Sequence, residues 1–108
     1  MKKIEDFCPV RDILAKTADK WSLLVMHELQ QRPVLRFSEL QRSIPDISQK
    51  MLTQTLRKLE QLQLLGREVY PEVPPRVEYR LTELGHSFMA NIEPLVGWAI
   101  ENRDRCLG

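Results

Sequence analysis

Ser48-Gln49-Lys50-Met51-Leu52-Thr53-Gln54-Thr55-Leu56-Arg57-Lys58-Leu59-Glu60-Gln61-Leu62 is the stretch on which the reading of the chain turns. Ser48 is a strong N-cap, because its hydroxyl can accept from the free amides of a first helical turn. Winding the stretch at about 100° per residue puts Met51, Leu52, Thr55, Leu56, Leu59 and Leu62 on one side. Gln49, Lys50, Thr53, Gln54 and Arg57 fall on the other, and none of them is acidic. Each of these side chains, like Ser48 at the cap, can donate to a phosphate or a base edge. Gln and Arg can do so through two parallel bonds. A solvated helix face ordinarily mixes charge signs and places Glu for i,i+4 pairs. Here the lone acid, Glu60, lies near the far end.

The flanking segments give that helix a setting. Upstream, Ser38-Glu39-Leu40-Gln41 fits a capping box with Ser38 and Gln41 as its members, opening a short helix that Pro45 stops. Helix, brief turn over Pro45-Asp46-Ile47, then helix is the helix-turn-helix layout over about 38–62. Downstream, Gly66 is the expected stop for the second helix. Arg67–Tyr70 and Arg76–Leu81 read as strands, Val77, Tyr79 and Leu81 alternating with Glu78 and Arg80. The prolines of Pro71-Glu72-Val73-Pro74-Pro75 cannot donate to a ladder, so this segment is a stiff hairpin tip. A hairpin after a recognition helix is a wing, here spanning about 67–81. Arg76 stands at its base as a candidate for phosphate or the minor groove, with Arg36 and Arg42 as further phosphate candidates.

Helices are expected at both ends. Pro9 suits a first helical position, and Val10, Ile13 and Leu14 follow at helical spacing through Thr17. Asp19 caps a second helix from Lys20 to about Gln31, whose apolar residues span too wide an arc for one core face. Thr82 caps the last, from Glu83 to about Arg105, bent at Pro94. Its apolar stripe is longer than so small a core can absorb. This predicts a partner subunit held through helices at about 9–17 and 83–105, and two-fold dimers are the commonest solution. The two recognition helices then meet successive major grooves about 34 Å apart.

Composition narrows the function classes. A chain of 108 residues accommodates one domain, 1–108, mainly α with a small β-hairpin wing. No apolar run reaches the roughly 18–20 residues a membrane span needs, no signal peptide opens the chain, and a cytoplasmic location is expected. Net charge is +1, but Arg32 to Arg80 holds nine Lys/Arg against six Asp/Glu, net +3, leaving −2 for the ends. A mildly basic middle fits a local phosphate-facing surface.

Catalytic readings find little support. His27 and His86 are isolated, and no metal or cofactor is expected. Glu5/Asp6 and Glu101/Asp104 read as solvated helix ends. Ser38 and Ser48 have no His placed to serve them, and four glycines form no phosphate loop. Two cysteines, Cys8 and Cys106, are too few and too far apart for a disulfide scaffold or a zinc site. A thiol-redox enzyme built on Cys8 would lack a Cys-x-x-Cys pair or a nearby His.

The run Ile47–Glu60 resembles the recognition helix of the HxlR-type regulators, relatives of the MarR family. So do Cys8-Pro9-Val10, Asp19-Lys20-Trp21-Ser22-Leu23-Leu24, and the wing Val69–Tyr79 followed by Leu81-Thr82-Glu83-Leu84-Gly85. The resemblance covers roughly residues 8–98. It implies a dimeric winged-helix transcription factor whose outer helices form the dimer interface; with the residues above, the expected function is a repressor binding double-stranded DNA at a pseudo-palindromic operator. One departure falls at Arg32-Pro33-Val34-Leu35-Arg36-Phe37, where relatives often have a Gly before the Pro and one residue fewer. Some members sense electrophiles, quinones or hypochlorite through an N-terminal cysteine, and Cys8 occupies that place. A thiol at a helix start also feels the positive end of the dipole, which favours thiolate. The alternative is a small hydrophobe packing the dimer interface. Cys106, near a C-terminus expected to be mobile, is the candidate resolving thiol. Fold alone leaves open a winged-helix module that binds protein rather than DNA.

Overall fold

The computed structural model describes residues 3–108. A 3-10 turn, Ile4–Phe7, runs directly into α1 (Cys8–Thr17). Then come α2 (Lys20–Gln31), β1 (Leu35–Arg36), α3 (Phe37–Ser43) and α4 (Gln49–Gln61). Strands β2 (Leu65–Tyr70) and β3 (Arg76–Leu81) form the hairpin, and α5 (Glu83–Leu107) closes the chain. The sheet is antiparallel in the order β1-β3-β2, with Leu35 opposite Tyr79 and Arg67 opposite Tyr79 on the other side. Five helices with a small sheet on the edge of a helix-turn-helix make a winged helix.

Side-chain caps set three of the helix starts. Asp19 accepts from the Ser22 amide (2.9 Å), Ser48 from the Met51 amide (3.0 Å) and Thr82 from the Gly85 amide (3.0 Å). The start of α3 differs from the expected Ser38–Gln41 box. The Arg36 amide donates instead to the Glu39 carboxylate at 2.8 Å, so the helix begins at Phe37. Both pairs share the same three-residue spacing. Pairing of β1 with β3 fixes Leu35 and Arg36 as strand and leaves Arg36 as the residue that must be capped.

The end of α4 is a second correction, because Gly66 lies inside β2 and terminates nothing. Gln63 takes the left-handed conformation at φ 64°. Its amide reaches the Glu60 carbonyl at 2.9 Å, and the Leu64 amide reaches the Leu59 carbonyl at 3.0 Å. That pair of bonds is a Schellman closure, with buried Leu64 and Leu59 at its two ends. In the turn between α3 and α4, Asp46 also sits at positive φ (67°), a conformation Asp tolerates better than most residues.

The core gathers Val25, Met26 and Leu29 of α2 with Leu40, Ile44 and Ile47 around the turn, and Leu52, Leu56 and Leu59 of α4. Leu35, Leu64, Leu65 and Leu81 join it from the sheet, Met89 and Ile92 from α5. Burying one such side chain contributes about 1.5–3 kcal/mol. The first turn of α5 presses onto the α4–β2 connection. A Cβ at Gly85 would lie 2.1 Å from the Leu64 carbonyl oxygen. Thr82 binds the same connection, its hydroxyl donating to the Gln63 carbonyl (2.6 Å) and its amide to the Leu64 carbonyl (3.0 Å). Helix α5 continues through Pro94 to Leu107, so Cys106 is helical rather than part of a loose tail.

Candidate nucleic-acid interface

Helix α4 is fixed from behind and open in front. Leu52, Thr55, Leu56 and Leu59 are buried against the core. Lys58 reaches across to the carboxylate that caps α2, Asp19, and ties the two helices together. Burial pushes the Asp19 carboxyl up, but the Lys58 ammonium and the hydrogen bonds from Ser22 outweigh it and hold it below the ordinary carboxylate value. The helix therefore cannot roll without breaking a buried leucine stripe, a cap and an ion pair.

On the opposite side, Gln49, Lys50, Gln54 and Arg57 are exposed and Thr53 is half-buried. Together these five line one shallow depression on the surface. Lys50 and Arg57 make no ion pair within the described residues, and neither do Arg36 or Arg42. Their charges are available to an anionic partner. The Thr53 hydroxyl donates to the Gln49 carbonyl at 2.9 Å, so it presents acceptor lone pairs and a methyl group rather than a free donor. Ser48 is exposed, and its hydroxyl proton stays available while its oxygen caps the helix.

The wing is held together by its own charges. Register places Glu68 directly opposite Glu78, and Arg36 opposite Glu78 on the other side. Like charges facing across a ladder are unfavourable, and arginines on the same sheet face resolve the conflict. Arg80 lies 3.1 Å from Glu68 and 3.8 Å from Glu78. Arg76 lies 3.1 Å from Glu72 and 3.6 Å from Glu78, with its guanidinium 4.1 Å above the Tyr70 ring. Arg76 stands next to the hairpin tip, opposite Tyr70, rather than at the base of the wing, and it is engaged there, unlike the unpaired cations of α4. This network depends on hairpin register, which residue types alone do not reveal.

Between α4 and the hairpin lies a polar cleft of about 290 Å³, lined by Phe37, Thr53, Leu56, Arg57, Glu60, Arg67 and Tyr79. Burial pushes the Tyr79 phenol above its ordinary value. Arg67 pulls it back, Glu60 adds to the rise and Arg57 opposes it. Sequence reasoning misses this cleft, because it joins residues from four separate elements.

The two cysteines are exposed and free. Cys8 does not stand at an open helix start, since the preceding 3-10 turn has already begun at Ile4 and the Cys8 amide donates to the Glu5 carbonyl. The dipole argument for its thiolate therefore loses its basis, and the charged side chains of that turn, Glu5 and Asp6, are both acidic. Neither His27 nor His86 belongs to a metal-binding group, and none exists among the described residues. Within them, no helix is long and apolar enough to cross a membrane.

Apolar side chains emerge along the outer helices. Ile4, Phe7, Val10 and Ile13 near the start, and Leu84, Leu95, Trp98 and Ile100 on α5, are all at least half exposed or nearly so. Trp98 is 54% exposed, and it is the run of such side chains along one helix, rather than any single one, that marks an interaction face. Ile13, Leu62, Leu64, Leu84 and Phe88 line an apolar groove of about 400 Å³ between α1 and α5.

Comparison with known proteins agrees with this geometry. A family described as HxlR-like helix-turn-helix matches residues 17–106. An HTH-type transcriptional regulator of Methanothermobacter thermautotrophicus is 50% identical over 94 residues, spanning 87% of this chain and 71% of the relative. A MarR-family transcriptional regulator from Porphyromonas gingivalis W83 superposes with a TM-score of 0.79 at 41% identity, covering 94% of this chain and 97% of the other. The redox regulator HypR in its reduced form gives a TM-score of 0.83 at 38% identity, covering 91% and 96%. The recognition helix, the wing and the extent of these matches together place the chain in the HxlR-like helix-turn-helix family, as a transcriptional regulator of the HxlR/MarR type.

Proposed function

We propose that the protein is a homodimeric repressor that reads a pseudo-palindromic operator through α4. Gln49, Lys50, Thr53, Gln54 and Arg57 enter the major groove, with Ser48 donating to a phosphate at the helix start. Arg36 and Arg42 meet the flanking backbone. Arg76 is the least available of the set, because a phosphate would have to replace Glu72 as its partner. The dimer forms through the exposed apolar faces of α1 and α5, which bury Trp98 and its neighbours. One observation carries the reading: an outward helix face of amides and unpaired cations, fixed from behind by leucines and flanked by a wing.

The test is fluorescence anisotropy with a duplex selected in vitro by the protein itself and a scrambled duplex of equal composition, at several salt concentrations. Affinity for both should fall as salt rises, through release of condensed counterions. The selected duplex should bind at least about 10³-fold more tightly throughout. Equal affinity for the two duplexes would rule out sequence-specific recognition.

Cys8 adds a second element. It is exposed beside the apolar face assigned to the dimer, and HypR, a redox regulator, has been solved in both reduced and oxidised forms. We place electrophile or oxidant sensing at Cys8 on those two grounds, with Cys106 as the resolving thiol. Modification there would alter the spacing of the two recognition helices.

A further inference from the structure

We infer that Arg67 is a positioning residue for DNA recognition, acting by holding Glu60 away from Arg57. Glu60 is the one acid on α4 and lies a single turn beyond Arg57, close enough to form an i,i+3 pair on the helix surface. Such a pair would occupy the guanidinium that the outward face needs, and a Glu60 with no partner at all would set a bare carboxylate near the duplex. Arg57 forms no ion pair with Glu60 or with any other described residue. Glu60 is instead taken from the other side of the cleft, where Arg67 Nε of β2 lies 3.6 Å from its Oε2.

Tyr79 neighbours both members of this pair. It stands directly opposite Arg67 in the ladder and lines the same cleft as Arg57 and Glu60. Tyr79 is half-buried, and with Arg67 it lines the side of the cleft that faces α4. The hairpin therefore serves α4 in two ways: it stands beside it as a wing, and it cancels the only charge on the helix that would repel DNA.

The inference rests on the reading that Arg57 contacts DNA, and the experiment separates the two. Arg67→Ala, Glu60→Gln, Arg57→Ala and the pairwise combinations are titrated against the in-vitro-selected duplex at fixed salt, with melting temperatures confirming that each variant is folded. Arg67→Ala should weaken binding about threefold to thirtyfold, since an exposed pair of this kind counts once in each half-site. Arg67→Lys, which keeps the charge, should recover most of the loss. In the Glu60→Gln background, removing Arg67 should cost nothing further, whereas beside Arg57→Ala only the smaller loss from uncovering the Glu60 carboxylate should remain. A loss that persists undiminished beside Glu60→Gln would mean that Arg67 touches the duplex itself and would overturn the inference alone. Parental affinity in Arg67→Ala would also overturn it. Parental affinity in Arg57→Ala would remove the reading beneath it as well.

Discussion

Asp19→Ala should loosen the seat of α4 by a calculable amount. The carboxylate caps α2 through the Ser22 amide (2.9 Å) and hydroxyl (2.7 Å), and holds Lys58 of α4. Losing an N-cap to Ala costs about 0.5–2 kcal/mol. The ion pair adds about 0.2–1 kcal/mol, kept low because its side chains are 42% and 36% exposed. The sum is about 1–3 kcal/mol. With an unfolding entropy of about 2.1 cal/mol/K per residue, a chain of this length should melt about 4–13 °C lower. Asp19→Asn separates the two contributions, because Asn caps as well as Asp but carries no charge. That variant should lose only about 1–4 °C.

The pH dependence gives an independent check on the same residue. The Asp19 carboxyl is depressed in the folded chain, so its share of stability is present above the unfolded value of about 3.9 and is lost as pH falls through the lower folded value. The gap between parent and Asp19→Asn should therefore close below about pH 4. Differential scanning calorimetry across pH measures both effects. A melting temperature for Asp19→Ala equal to the parent's, or an equal loss in Asp19→Asn and Asp19→Ala, would refute the reasoning.

Two other perturbations probe the α4–β2 connection and the sensor. Gly85→Ala sets a Cβ against the Leu64 carbonyl oxygen, a backbone atom that cannot step aside. It should destabilise by about 1–3 kcal/mol, and a thermal melt matching the parent's would show that the packing there yields freely. Cys8→Ser should remain on the selected duplex when diamide or a quinone releases the parent, as read by anisotropy. Release of the serine variant at the same dose would retire Cys8 as the sensor.

What is legible in the sequence divides along physical lines. Asp19, Ser48 and Thr82 announce their helices because capping is local, with donor and acceptor three residues apart. The leucine stripe of α4 is equally plain, since helical period alone puts Leu52, Leu56 and Leu59 on one face and Gln49, Lys50 and Arg57 on the other. The Schellman turn at Gln63 is hidden because a glutamine gives no sign of left-handed backbone, whereas Gly66 nearby gives a false one. Arg36 as a cap depends on β1 joining the sheet, which is a non-local event. The same is true of the Glu68–Glu78 opposition and of the arginines that relieve it. Cys8 falls one helical turn further along than its sequence suggests, because nothing in Lys3–Phe7 marks the 3-10 segment that absorbs the helix start. Faces are set by periodicity and are readable, whereas partners across strands are set by register and are not.

The central claim is that the outer face of α4 reads base sequence. Arg57→Ala tests it most directly: the residue is exposed, lies outside the core, and exchanges one good helix former for another. Titrated at fixed salt, the variant should bind the selected duplex about 1–3 kcal/mol more weakly for each half-site, and the scrambled duplex with a much smaller change. Unchanged affinity for the selected duplex, or an equal loss on both duplexes, would contradict it.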